Sequence, residues 1–592
     1  MTQETAVGFS TAVSNGALRC EVIGGAAKQT RLSIFYRDRP IVVDIPVGLR
    51  VDGEDLGLDA ELVHAARASI TDSYEMRTGK AAGRHHVAHE ELTLRLRSAS
   101  TGAEWELLVR AAPDGAAFRY RVPAGPSATV DGELTAIPVP DGARAWPLLY
   151  QTWYETPRFG ADIAQLAEGD YGFPFLLRDT NGVYVLLSEA AIDGRFSGSH
   201  LAFSRAGGSA RLSYAAADPA VEIAGGAALP WRVFVIGSAA DVVASSLVDD
   251  LAPAADAALA AAAWIRPGHA AWSWWSDTDS PEDFDTQRRY VDYAAARGWE
   301  HVLVDAGWNA DWVPQLVEYA DARNVGIFLW SHWIDLQGEE AVRKLALWKS
   351  WGIAGVKVDF MESESQERYR WYDFIIAEAA QRELMLNFHG SVIPRGWART
   401  FPHVMSYEGI RGAEYYIIDL GPLTAAHNVI QPFTRNVAGS MDYTPVTFSA
   451  ADRETSDGHE LGLAVAFESG ITHLADDIAE YAKRPLAEEF LSSLPPVWHE
   501  TRLLSGSPDT EAVVARRHHG TWYLGCIAVG PARTVAIDLE ELYDGDCDVW
   551  IVGDAVHQSG LVERRWSRAT GRIELEIAEN GGFAGVASAS AR

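Results

Sequence analysis

From Ala270 onward the chain alternates short apolar runs with longer amphipathic ones, a rhythm that calls for a parallel sheet with helical crossovers. AAWSWWS, HVLVDAGW, VGIFLWSHW, IAGVKVDF and LMLNFHG begin near 270, 301, 325, 353 and 384, roughly the 25–30-residue spacing of a βα unit. The segments between them carry helical periodicity. Val313, Leu316, Val317 and Ala320 lie at i, i+3, i+4 and i+7, and Trp371, Phe374, Ile375 and Ala379 mark a second such face. VMSYEG (404–409) supplies a sixth strand, and two more fall less cleanly within 425–475. Eight units over about 235 residues suit a (β/α)8 barrel. An open doubly wound sheet would want a glycine-rich phosphate turn after its first strand, and WSWWSDTDS is not one.

The flanks read differently. Between residue 17 and about 240, ALRCEVIG, RLSIFY, ELTLRLRS and EWELLVRAA show the period-two alternation of half-buried strands, broken at Asp-Gly and Asn-Gly turns. An Ala-rich stretch (249–268) reads as a helical connector, and beyond Trp498 the β pattern returns. The expected fold is multidomain: a (β/α)8 TIM barrel (263–498) flanked by an N-terminal β-sandwich with its linker (1–262) and a small C-terminal all-β domain (499–592). A chain of 592 residues is long enough for several cores. A formal charge of −31 repels phosphate backbones, so no nucleic-acid partner is expected. Cys20, Cys526 and Cys547 make neither a disulfide framework nor a CxxC metal site. No basic, apolar leader opens the sequence and no run is long enough to span a membrane, so a soluble, cytoplasmic protein is expected.

In such barrels the reactive groups sit where strands end. The strand ends carry Trp272, Ser273, Trp274 and Trp275; Asp305 and Trp308; His332 and Trp333; Lys357 and Asp359; Asn387 and His389; and Glu408, with Glu414 just after. Six consecutive ends bearing ionisable or aromatic groups point to a pocket. Two facing carboxylates are the minimal machine for glycoside hydrolysis, and Asp359 with either Glu408 or Glu414 supplies them. Trp274 and Trp308 offer flat rings for a sugar face. Asp305, His332, Lys357, Asn387 and His389 are read as hydroxyl partners or orienting groups. Lys357, two residues before Asp359 on one strand, equally serves to neutralise it, and His389 equally reads as a satisfied core histidine. Arg435 and Asp442 suit barrel-stabilising ion pairing as well as substrate contact.

WSWWSDTDSPEDFDTQRRYVDYAAARGWEHVLVDAGW, GVKVDF, NFHGSVIPRGWARTFPHVMSYEGIRGAEYY and QPFTRNVAGSMDYTP resemble glycoside hydrolase family 97 across the whole barrel. The resemblance implies a retaining, exo-acting α-glycoside hydrolase, an α-galactosidase foremost, with an α-linked oligosaccharide or glycoside as substrate. Asp359 would be the nucleophile and Glu414 the acid/base. Inverting members carry glycine where Asp359 stands, and base glutamates at the places of Gly390 and about Trp333. The family also implies a calcium ion, here on Glu155, Glu408 and Glu414, with one oxygen fewer because of Gly390. An α-glucosidase or β-L-arabinopyranosidase on the same scaffold is the nearest alternative. A non-catalytic carbohydrate-binding protein is the alternative of another class. A metal-dependent hydrolase or lyase using His332 and His389 lacks any HxH or HExxH arrangement. Burial and the charge of Asp359 are expected to weaken the acidity of Glu414.

Overall fold

The computed structural model describes residues 8–25, 28–418, 421, 423–555 and 560–590. Its centre is a parallel sheet of β1 (Gly268–Trp272), β2 (His301–Val304), β3 (Gly326–His332), β4 (Gly355–Asp359), β5 (Met385–Phe388), β6 (Val404–Tyr407) and β7 (Ile471–Leu474). The pairing order is β6-β5-β4-β3-β2-β1-β7, so consecutive strands neighbour each other and the last returns to the first. Helices Phe284–Arg297, Val313–Asp321, Gly338–Trp351 and Gln366–Gln381 fill the crossovers. Val313, Leu316, Val317 and Ala320 are buried together, the stripe their spacing predicts. Trp371, Ile375 and Ala379 are buried likewise, while Phe374 stays half-buried at the margin of its stripe.

Among the described residues between β6 and β7, the ring closes through an irregular stave and no eighth strand. Asp442 N–H donates to the Tyr407 carbonyl (2.9 Å), Met441 N–H to Glu468 (2.9 Å), and Ala475 N–H to Pro445 (3.3 Å). A regular ladder cannot run here. Pro445 has no N–H to give, and Thr444 (φ 55°) and Val446 (φ 72°) bend into the left-handed region.

The N-terminal region is antiparallel throughout, its largest sheet nine-stranded. In the strand Gly83–Ser98, Leu92, Leu94 and Leu96 point into the core while Arg95 and Arg97 face out. The Ala-rich connector does not form the expected helix. It makes two single turns, Leu247–Asp250 and Ala257–Ala260, because Pro253 interrupts it and so short a helix does not repay its nucleation. The C-terminal region is a six-stranded antiparallel sheet with a two-stranded companion. Cys20, Cys526 and Cys547 are buried free thiols.

The sandwich is joined to the barrel by a buried chain of alternating charge. Arg232 bridges Glu133 and Glu189 within the sandwich, and Arg395, just past β5, bridges Glu189 (3.1 Å) and Glu364 of the barrel. Tyr150 and Tyr154 hydroxyls reach across to Glu364 (2.9 and 2.8 Å). This contact sets Glu155, next in sequence, against the barrel rim.

Candidate active site

A cavity of about 170 Å³ opens at the C-terminal ends of the strands, at the small end for a ligand pocket and suited to a single ring. Asp359, last residue of β4, lies on its wall, 9% exposed. Phe360 N–H donates to its Oδ1 (2.7 Å) and the Trp330 indole to its Oδ2 (3.0 Å). Burial raises the Asp359 pKa, and Lys357 and His389 pull against that rise.

Glu414 faces the same cavity from a one-turn 3₁₀ helix, Ala413–Tyr416, just after β6. The Trp275 indole donates to the Ala413 carbonyl (2.8 Å) and Ala413 N–H to Tyr443 (2.9 Å), so the turn is fixed from both sides. Burial pushes the Glu414 carboxyl up to about 7; Lys357 and His389 oppose the rise, and Glu408 and Asp359 add to it. A carboxyl so perturbed keeps its proton far better than an ordinary glutamate, as a general acid must.

Lys357 acts on Asp359 through space, while its direct ion pairs are made elsewhere. Its ammonium sits 3.0 Å from Asp305 and 3.4 Å from Glu414, over the Trp272 ring at 4.7 Å. Asp305 lines the cavity with both oxygens engaged, Oδ1 by Ala306 N–H (2.7 Å) and Oδ2 by Lys357 and the Trp272 indole (2.8 Å).

Asn387 and His389 lie behind the cavity wall. Both donate to Oδ2 of Asp442 (2.9 and 2.8 Å), which also accepts from His473 (2.7 Å). Burial raises the Asp442 pKa, but the two imidazoles outweigh it and hold the carboxyl well below its usual range. The other nitrogen of His389 faces Glu408 (3.3 Å) and Glu414 (3.4 Å). Burial alone would lower the His389 pKa; Glu408 and Asp442 carry it well above the ordinary imidazole value. His389 thus stands between Asp442 on one nitrogen and Glu408 and Glu414 on the other. Arg435 does not pair with Asp442. Its guanidinium donates to the backbone carbonyls of Tyr407, Glu408, Gly409, Gly439 and Ser440, clamping the turn that carries Glu408.

Of the aromatic candidates, Trp274 lines the cavity, stacked on Trp272 (5.7 Å between centroids). Trp308 does not. Its indole donates to the Trp330 carbonyl (2.8 Å) and its ring packs edge-on against Trp348 and Trp351 in the helix layer. His332 also stands back, capping the next turn through Ile334 N–H (3.1 Å) and stacking behind Phe360 (5.2 Å). Trp330, Phe360, Glu362, Tyr415 and Ile418 line the cavity without having been singled out. Strand alternation could have found Trp330, two residues before His332 and in register with Lys357. Nothing in the sequence signals the positive φ of Phe360 (66°), which turns the chain at the cavity.

Gly390 is a structural necessity. At φ 53°, a Cβ there would lie 2.9 Å from the Phe360 N and Cα and 3.3 Å from Asp359 Oδ1. The loop bearing Asp359 occupies the space that a side chain at 390 would need.

Three carboxylates, Glu155, Glu408 and Glu414, share the cavity wall, and their chemistry fits a hard divalent cation. Glu408 is held low: His389 and the Gly390 amide (2.7 Å) outweigh its burial. Glu155, bonded by the Tyr415 hydroxyl (2.8 Å), is pushed well above its usual range by burial and then by Glu408. Carboxylates crowded in this way call for a proton or a cation between them.

A barrel rim with two buried carboxylates on one small cavity holds the groups that glycoside hydrolysis requires. The comparisons agree. Residues 13–253, 264–410 and 497–587 match the models "Glycosyl-hydrolase 97 N-terminal", "Glycoside hydrolase 97" and "Glycosyl-hydrolase 97 C-terminal, oligomerisation". A "Probable retaining alpha-galactosidase" of Streptomyces bingchenggensis is 39% identical, covering 94% of this chain and 88% of its own. A "Retaining alpha-galactosidase" of Bacteroides thetaiotaomicron is 32% identical over 60% of this chain and 59% of its own. A solved β-arabinopyranosidase superposes with a TM-score of 0.88 at 25% identity, covering 97% of this chain and all of that one. The chain belongs to glycoside hydrolase family 97.

Proposed function

We propose that this enzyme is a retaining, exo-acting α-galactosidase working by double displacement. The observation that carries the reading is the placement of Asp359 on the cavity wall with Glu414, beside a glycine whose Cβ position is already filled. The full-length similarity to a named retaining α-galactosidase supports the sugar and the stereochemistry. In the first step an Asp359 oxygen attacks the anomeric carbon, the glycosidic C–O bond breaks, and Glu414 gives its proton to the departing oxygen. In the second, Glu414 takes a proton from water, the water oxygen attacks the same carbon, and the ester to Asp359 breaks with its electrons returning to the carboxylate. Two inversions restore the starting anomer.

Trp330 and Phe360 N–H hold the Asp359 carboxylate in one orientation. Lys357 and His389 compensate the charge that Glu414 carries between the steps. Glu155, Glu408 and Glu414 would hold a calcium ion, which would supply positive charge among these carboxylates. The small cavity suits one terminal sugar, which favours exo action.

The similarity to a β-arabinopyranosidase favours a second reading of the sugar. A β-L-arabinopyranoside presents the same ring stereochemistry as an α-galactoside without the C6 hydroxymethyl group, and paired aryl glycosides separate the two. The chemistry itself is tested by Asp359→Asn. Turnover should collapse, and in the truncated Asp359→Gly variant azide or formate should restore part of it with an inverted product, because a small anion fits where the carboxylate was removed. Normal turnover in either variant would remove Asp359 from the mechanism.

A further inference from the structure

Far from the pocket carboxylates in the chain, three imidazoles meet at one end of the C-terminal sheet. His499 precedes the strand Glu500–Ser507, His518 ends the strand Glu511–His518, and His519 opens the turn into Thr521–Ala528. Glu500 pairs with Arg517, so the ladder brings His499 and His518 to the same end. Ring centroids lie 5.0 Å apart for His499 and His518, 4.8 Å for His499 and His519, and 4.3 Å for His518 and His519. One ring nitrogen from each lies within 4.8 Å of the other two.

Hydrogen bonds set the tautomers of two of the three rings. The Val497 carbonyl can only accept, so Nδ1 of His518 carries the proton (2.9 Å) and its Nε2 keeps a free lone pair. A carbonyl behind the far nitrogen is the usual support of a metal-binding histidine. Nδ1 of His499 accepts the backbone N–H of His519 (3.2 Å), a long bond that a stronger interaction can replace. His519 itself holds φ 51°, uncommon for a residue with a side chain. Burial and the neighbouring imidazoles lower the pKa of His499; burial lowers that of His518 against the opposing bond to the Val497 carbonyl. The adjacent cation, Arg517, is engaged by Glu500 at 2.6 Å.

We infer that His499, His518 and His519 form a binding site for a borderline divalent transition-metal ion, Zn²⁺ foremost, with water completing its coordination. Three clustered imidazoles suit zinc, nickel or copper, whereas calcium seeks oxygen, so this site and the pocket carboxylates select different ions. A bound ion would clip the segment Val497–His499, which leaves the barrel, to the hairpin of the C-terminal sheet.

The test uses untagged full-length protein, stripped by a chelator and titrated with zinc in the presence of excess calcium. A single zinc ion should bind by calorimetry and raise the Tm. His518→Gln and His519→Asn should each weaken binding at least about tenfold, since even outer supports of metal sites are worth that much, and should abolish the rise in Tm. Asparagine tolerates the backbone conformation at 519, and unchanged circular dichroism and glycosidase turnover would show the variants intact. Absence of zinc uptake by the wild type, or wild-type zinc affinity in both variants, would overturn the proposal.

Discussion

Two networks of buried charge run through this protein, and they are finished differently. At the sandwich–barrel interface, Arg232 and Arg395 bridge Glu133, Glu189 and Glu364, and every carboxylate oxygen has a donor. Thr135, Ser199, Tyr150 and Tyr154 supply the hydroxyls that complete the set. At the barrel rim, Lys357 and His389 stand among Asp305, Glu408, Glu414 and Asp442. There the carboxylates outnumber the cations and several face the cavity. A saturated buried network holds an architecture together; an under-saturated one that opens on a cavity has capacity left for a ligand, a proton or an ion.

The sharpest way to separate the two is to break each. Asp359→Asn should cut kcat/KM by a factor on the order of 10⁴, the scale on which catalytic groups fail, while denaturant unfolding shows wild-type stability or better. Arg395→Ala should do the reverse. Glu189 and Glu364 would be left as buried, uncompensated charges, a loss of about 3–5 kcal/mol in unfolding free energy measured in urea. Removal of calcium by chelation should lower both turnover and Tm, and calcium at about a hundred times its Kd should restore about 2.7 kcal/mol. An unchanged melting curve would count against the carboxylate site. Asp442→Asn keeps the shape but removes the charge that holds His389; activity should fall on the order of 10- to 100-fold in steady-state kinetics. Trp308→Phe should lose the bond to the Trp330 carbonyl and part of the packing on Trp348 and Trp351, on the order of 1–3 kcal/mol in urea unfolding, with kcat/KM intact. A large kinetic loss there would place Trp308 in the substrate path after all.

What the sequence made legible follows from which physical rules are local. Asp359 was readable because strand rhythm locates the end of β4 and barrel geometry makes that end the functional face. The rule says which end of a strand matters, not which side of the rim a residue beyond the strand turns to. For that reason the sequence points to Trp308 and His332 as pocket residues, although the helix layer and Phe360 hold them back. Asn387 and His389 had the right chemistry, but their partner Asp442 lies on the irregular stave, where Pro445 and positive φ angles erase the strand signal. The same loss of period hid the closing element of the barrel. Trp330 was hidden in plain alternation, two residues from the one selected. Glu155 came into view only through family resemblance, since no local pattern says that a sandwich loop will reach a barrel rim.

Whether Asp359 acts as the nucleophile is tested most directly by proton NMR of the first sugar released from p-nitrophenyl α-galactoside, recorded before mutarotation. A glycosyl-enzyme on Asp359 releases the α-anomer. A β-anomer as the first product would mean single displacement by water and would contradict a nucleophilic Asp359.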